Sequence, residues 1–155
     1  MPHLPTSFTF AEPCAGDGRL ITHIESLSDS ACGWASDIEP QGDDIFQMDL
    51  FDITPDDLSD CDLIITNPPW DRTPKSDYLL HRIITHLSGI KPTWLLFDAD
   101  WPHTLQSSDY IKRCVKIVSV GRVKWIEDSA GVGKDNCAWY LFDANHVGQT
   151  EFVGR

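Results

Sequence analysis

DLIITNPPW, residues 62–70, carries an apolar run straight into Asn67, Pro68, Pro69 and Trp70. The two prolines remove two backbone donors and fix φ, so the carbonyls there are turned away from any strand ladder. Asn67 adds a side-chain oxygen and an NH2, and Trp70 adds a flat aromatic face. A planar group bearing an exocyclic NH2 fits this set. The Asn67 oxygen and the Pro68 carbonyl would accept its two N–H bonds while the indole covers its ring. A tight turn closed by a buried Trp is the plain alternative, but a turn does not need the Asn.

Three more stretches pair turn residues with chemistry. In AEPCAGDG, residues 11–18, Gly16 and Gly18 allow a tight turn and a close backbone approach to a ligand. The third glycine of a dinucleotide fingerprint is replaced by Ile21, so a pyrophosphate loop is poorly supported. DIEP follows at about the twenty-residue interval at which an acid meets a ribose in nucleotide-binding α/β folds. Asp37 is the first choice there and Glu39 the second. MDLF, residues 48–51, offers Asp49 to an exocyclic amine, with Leu50 and Phe51 as apolar neighbours for a ring. Taken singly, each of these stretches reads equally well as a loop.

The elements that must hold these residues alternate in type. Residues 8–12, 33–36, 43–47, 62–66 and 93–97 read as strands, and residues 115–120 and 138–142 as two more. Helical spacing is clear at positions 20, 21, 24 and 27. It recurs at 79, 80, 83, 84 and 87, giving a helix over residues 76–87 with Ser76 as N-cap. A short helix is expected over 105–113, and the link between the second and third strands is too short for a crossover helix. Strand–helix alternation predicts an α/β domain on a mostly parallel sheet. All four candidate stretches then fall at carboxyl ends of strands, where such sheets bind ligands.

The chain has 155 residues, enough for one domain with a core of its own. Neither a membrane span nor a secretory leader is evident, so a cytoplasmic protein is expected. The five cysteines include no CxxC pair and the six histidines no HxxxH spacing, so reduced thiols and no metal are expected. The net charge of −12 is unevenly spread. Residues 1–71 contain fifteen acids and one base, whereas residues 72–155 contain nine acids and eleven bases. Such a chain repels nucleic acid at long range, yet its second half can present a neutral-to-basic face built from residues 112–124.

EPCAGDG, DIEP, DLF and NPPW in this order resemble the class I S-adenosylmethionine-dependent methyltransferases. NPPW, read as [N/D]PP[Y/F/W], resembles the motif of amino-methyltransferases, chiefly the DNA adenine-N6 enzymes. The stretch RVKWIEDSAGVGKDNCAWYLF is similar to small adenine methyltransferases of phages and prophages. The resemblance implies a Rossmann-like, doubly wound, seven-stranded sheet with an antiparallel C-terminal strand. The chain reads as a single domain over residues 1–155 and departs from the family pattern in showing no separate target-recognition domain. It places Glu12, Cys14, Gly16, Gly18, Asp37, Asp49 and Leu50 around S-adenosyl-L-methionine. Asn67, Pro68, Pro69 and Trp70 are placed at the reacting amine. Cys14 stands where many of these enzymes have the first loop glycine, and only residues 1–7 precede the first strand.

By this resemblance the reaction is direct methyl transfer to the N6 amine of adenine in DNA. Arg72, Lys75 and Lys134 would meet phosphate, and a dimer or partner subunit would assist. A protein glutamine or an RNA adenine is the nearest alternative substrate, and a catalytically idle cofactor-binding subunit is a further one. Pro13-Cys14 also matches the nucleophile pair of cytosine-C5 methyltransferases, but it sits in the glycine loop rather than after the fourth strand.

Overall fold

The computed structural model describes residues 2–70, 79–122 and 136–155. Eight strands form one sheet: β1 (Ser7–Glu12), β2 (Asp29–Asp37), β3 (Phe46–Gln47), β4 (Leu63–Thr66), β5 (Thr93–Asp98), β6 (Cys114–Arg122), β7 (Asn136–Phe142) and β8 (Glu151–Val153). Two helices accompany them, α1 (Arg19–Leu27) and α2 (Leu79–Ser88). The spatial order is β3-β2-β1-β4-β5-β7-β6-β8. Strands β1 to β5 pair in parallel, β7 runs antiparallel to both β5 and β6, and β8 is parallel to β6. This is the α/β architecture expected from the alternation, with one strand more than the seven anticipated.

The order reverses between β1 and β4, so their carboxyl ends lie side by side at the topological switch point. Only Phe46 and Gln47 pair in the third strand. The link before it carries no helix and is tied by its Gln41 N–H to the Gly16 carbonyl at 2.9 Å. The eighth strand escapes sequence patterning because it is three residues long. Thr150 Oγ1 donates to the Cys114 carbonyl at 2.8 Å beside it, and Glu151 pairs with Lys116 at 2.9 Å. The N-cap expected at Ser76 lies outside the described residues.

The helix expected over 105–113 is instead a run of 3-10 turns at Trp101–His103, Leu105–Asp109 and Ile111–Arg113. Hydroxyls explain the change. Thr104 Oγ1 donates to the Trp101 carbonyl and Ser107 Oγ to the Thr104 carbonyl, both at 2.8 Å. Such local bonds compete with the α-helical ladder.

The two faces of the sheet are covered unequally. On one, Ile83, Ile84 and Leu87 of α2 pack with Ile64, Leu95, Phe97, Tyr140 and Phe142, each at most 1% exposed. Phe97 and Tyr140 stack at 4.1 Å and Trp101 meets both edge-on. Burial of each such side chain stabilises by about 1.5–3 kcal/mol. On the other face, α1 covers Phe8, Phe10, Leu63 and Ile65. An apolar groove of about 290 Å³ remains open between Leu4, Leu20, Leu27, Trp94, Val118 and Trp139.

Candidate active site at the carboxyl ends of the parallel strands

Strand β1 ends on Glu12, and residues 13–18 then turn the chain into α1. Gly16 (φ 54°) and Gly18 (φ 79°) adopt left-handed conformations that cost an L side chain strain. A Cβ on Gly16 would meet no atom within 4 Å, so the loop faces open space where a ligand can approach its backbone. The Ala15 N–H bonds the Ser36 carbonyl at 3.0 Å, joining this loop to the end of β2.

Asp37 and Asp49 are already engaged. Asp37 accepts from the Gly16 N–H at 2.8 Å and from the Glu39 N–H at 2.9 Å, one bond on each oxygen. Asp49, an exposed residue, caps the 3-10 turn Leu50–Asp52 by accepting from the Phe51 N–H at 2.9 Å on its Oδ1. Each carboxylate has about four lone-pair sites, so both retain capacity for a ligand's hydroxyls or amine. Glu39, the second choice at the ribose position, is exposed and contributes its backbone to Asp37.

Glu12 is in the opposite condition. It is 2% exposed and its Oε2 has no hydrogen-bond partner. Burial, reinforced by the nearby Asp37 and Asp17 carboxylates, pushes its carboxyl up to about 8. Cys14 sits among the same groups. Burial pushes its thiol up to about 12 against the opposing influence of the Thr66 hydroxyl, and the Asp37, Glu12 and Asp49 carboxylates add to the rise. Burial of this kind favours the protonated thiol over the thiolate. Glu12, Cys14, Gly16, Asp37 and Asp49 thus lie near one another at neighbouring strand ends.

At the end of β4, Thr66 is fully buried and its Oγ1 has only the Cys14 thiol near it; the Asn67 Oδ1 beside it is buried and has no hydrogen-bond partner. Buried polar atoms nearly always find a partner, and each that does not calls for an explanation. Three of the five such atoms among the described residues (on Glu12, Thr66 and Asn67) lie at the adjacent ends of β1 and β4. Thr66 was not anticipated from the sequence; its signal is a hydroxyl ending an otherwise aliphatic strand. Pro68 is buried and Pro69 exposed. The Trp70 indole N–H donates to the Leu96 carbonyl at 3.1 Å, and its ring rests on the α2-side core. Strand β4 pairs with β5 only as far as Leu95, so the indole takes up the next carbonyl and is fixed in orientation.

Arg72, Lys75 and Lys134 lie outside the described residues, as does Lys124. The rest of the basic cluster does not form one face at the site. Lys112, Arg113 and Lys116 stand at the start of β6, the end of the sheet remote from the site, because β6 runs in the same sense as β4 and β5. Lys112 pairs with Asp109, Arg113 donates to Ser88 Oγ and Lys116 pairs with Glu151. Arg122, at the other end of β6, is at the site's end of the sheet. All five cysteines are free thiols. Among the described residues no group of three His, Cys, Asp or Glu could hold a metal ion, and no helix is long and apolar enough to cross a membrane.

No protein-family model and no curated protein sequence matches the chain. Its fold does match solved structures. One is a protein of Listeria monocytogenes assigned to the class I S-adenosylmethionine-dependent methyltransferases (TM-score 0.54, 11% identity, 98% of this chain and 59% of that one). Another is a chain of Vibrio vulnificus YJ016 assigned as the modification subunit of a type I restriction enzyme (TM-score 0.52, 12% identity, 95% and 42%). A third is the precorrin-6y C5,15-methyltransferase of Geobacter metallireducens GS-15 (TM-score 0.52, 14% identity, 90% and 82%). The chain thus spans 59% and 42% of the first two. At these identities the likeness is one of fold: the chain has the Rossmann-like fold of the class I S-adenosylmethionine-dependent methyltransferases.

Proposed function

We propose that this chain transfers the methyl group of S-adenosyl-L-methionine to an exocyclic amine, the N6 of adenine in DNA. One observation carries the reading. Glu12 Oε2, Thr66 Oγ1 and Asn67 Oδ1 are buried acceptors without partners, gathered at the switch point of a methyltransferase-type sheet. A cation and an NH2 group are the ligands that would satisfy them.

When bound, S-adenosylmethionine supplies an electrophilic methyl group on a sulfonium. Gly16 and Gly18 leave room for its methionine part, and the Glu12 carboxylate takes the ammonium. Asp37 holds the ribose hydroxyls, while Asp49 and Leu50 hold the adenine edge and ring. The target amine is a poor nucleophile because its lone pair is delocalised into its ring. Asn67 Oδ1 and the Pro68 carbonyl accept its two N–H bonds, localise that pair and aim it; Trp70 covers the base. Alignment and placed dipoles supply the catalysis.

A base reaches such a site only when flipped from its stack, at a cost of a few kcal/mol. Arg72, Lys75 and Lys134 are our candidates for holding phosphate, with a dimer or partner subunit completing the DNA contact. The restriction-modification neighbour supports this assignment by analogy. The acidic first half of the chain favours a substrate without phosphates, a protein glutamine, as the second reading.

Nucleoside mass spectrometry on methylation-deficient cells expressing the chain tests the proposal. N6-methyladenine in DNA, absent with Asn67→Ala, is expected. Methyl label on protein glutamine or RNA adenine instead would move the assignment to that substrate. Cofactor binding without turnover on any of the three would make the chain an idle subunit.

A further inference from the structure

The turn that carries Asp49 and Leu50 is too short to hold itself in place. It is one 3-10 turn, closed by the Asp52 N–H to Asp49 carbonyl bond at 2.9 Å and capped by the Asp49 side chain. Such turns have poorer hydrogen-bond geometry than an α-helix and rarely persist alone. On the β2 side the turn is tied by the Met48 N–H to the Asp37 carbonyl at 3.0 Å. On the other side the tie is a side chain. Phe51 lies under the Arg82 guanidinium, whose carbon is 4.4 Å from the ring centroid, and its centroid is 5.6 Å from that of His86. Arg82 and His86 are four residues apart on α2 and so share one helix face.

We infer that Phe51 is a positioning residue, clamped by Arg82 and His86 so that Asp49 and Leu50 keep the geometry that recognises the amino edge of the cofactor's adenine. The inference rests on the methyl-transfer reading above and deepens it. Guanidinium over an aromatic face is attractive, and the rigid ring allows little play in a backbone only two residues from Asp49. Helix α2 is also the next described element after the NPPW turn. The element that follows the amine-gripping turn therefore also fixes the adenine-reading turn, joining the two halves of the site.

Fidelity for the base is the readout, because a merely structural role would not move it. Hypoxanthine replaces the 6-amino donor by an acceptor and turns N1 from an acceptor into a donor, so it inverts the edge that the Asp49–Leu50 turn would read. Calorimetric titration with S-adenosylhomocysteine and S-inosylhomocysteine compares the amino edge with its inverse. The wild-type chain should prefer the adenosyl ligand by on the order of 100-fold, the loss expected when a hydrogen bond to a charged acceptor goes unmade. Phe51→Ala should weaken the adenosyl ligand about tenfold, leave the inosyl ligand nearly unchanged and so narrow the preference. Phe51→Tyr should restore it, and Arg82→Ala with His86→Ala should fall between. Phe51→Leu serves if the alanine variant does not fold.

An unchanged preference in the Phe51 variants, or equal loss for both ligands, overturns the inference while the methyl-transfer reading stands. Failure of the wild-type chain to bind either ligand overturns both.

Discussion

Two sets of polar side chains lie at neighbouring strand ends in opposite conditions. At the ends of β2 and β3, Asp37 and Asp49 are bonded to the backbone of their own loops. At the ends of β1 and β4, Glu12, Thr66 and Asn67 present buried oxygens with no partner. An unpaired buried polar group costs about 1–3 kcal/mol, so three within a few residues are a sizeable burden for a domain this small. The first set shapes its own loops. On the proposed function, the second set finds its partners on the bound ligands.

Breaking each set should therefore give different signatures. The largest effect is expected from Asn67→Ala: turnover falls by roughly 10²–10³-fold, as for loss of a transition-state hydrogen-bond partner, while cofactor affinity holds within about twofold. Single-turnover rates and calorimetry separate these, and parallel loss of both would remove Asn67 from the amine. Asp37→Ala should destabilise instead. Losing the acceptor of two backbone N–H groups costs about 1–3 kcal/mol, which lowers the melting temperature by roughly 2–4 °C per kcal/mol. A melting temperature equal to wild type would contradict the loop-building role.

Thr66→Val sharpens the contrast, because it deletes an orphan hydroxyl at nearly constant shape. The melting temperature should rise, by about 2–4 °C for a gain near 1 kcal/mol, while cofactor affinity declines. A fall in melting temperature would mean that the hydroxyl has a partner in the free protein.

A pH dependence is expected at Glu12. Its carboxyl titrates about 8 in the fold against 4.5 ordinarily. The folded state therefore holds a proton that the unfolded chain has released, and stability declines as pH rises across that window. Binding a cation requires loss of that proton, so cofactor affinity should weaken about tenfold per unit as pH falls below about 8. Glu12→Gln should flatten both profiles, and a wild-type affinity independent of pH would exclude the ion pair.

How far these features were legible in the sequence follows from range. Gly16, Gly18, Asp37 and the Pro68-Pro69 pair mark strand ends by local backbone chemistry, so the four stretches and the parallel sheet could be read without coordinates. β8 could not, because three residues carry too little pattern. Residues 105–113 form 3-10 turns instead of the expected helix because the Thr104 and Ser107 hydroxyls divert the backbone from the apolar spacing. The clamp on Phe51 joins residues 51, 82 and 86, and the orphan state of Glu12 depends on everything around it; neither is written in any local stretch. The basic cluster is continuous in sequence, yet β6 carries Lys112 and Arg122 to opposite ends of the sheet.

The central claim is that the unpaired acceptor on Asn67 serves an exocyclic amine. Its most direct test is a single-turnover transfer of labelled methyl from S-adenosylmethionine to a single-stranded oligonucleotide with one adenine. The control carries unsubstituted purine at that position, which lacks the 6-amino group. The account predicts label on the adenine N6, none on the purine control and almost none with Asn67→Ala. Equal labelling of the two oligonucleotides, or an Asn67→Ala variant as fast as wild type, would contradict it.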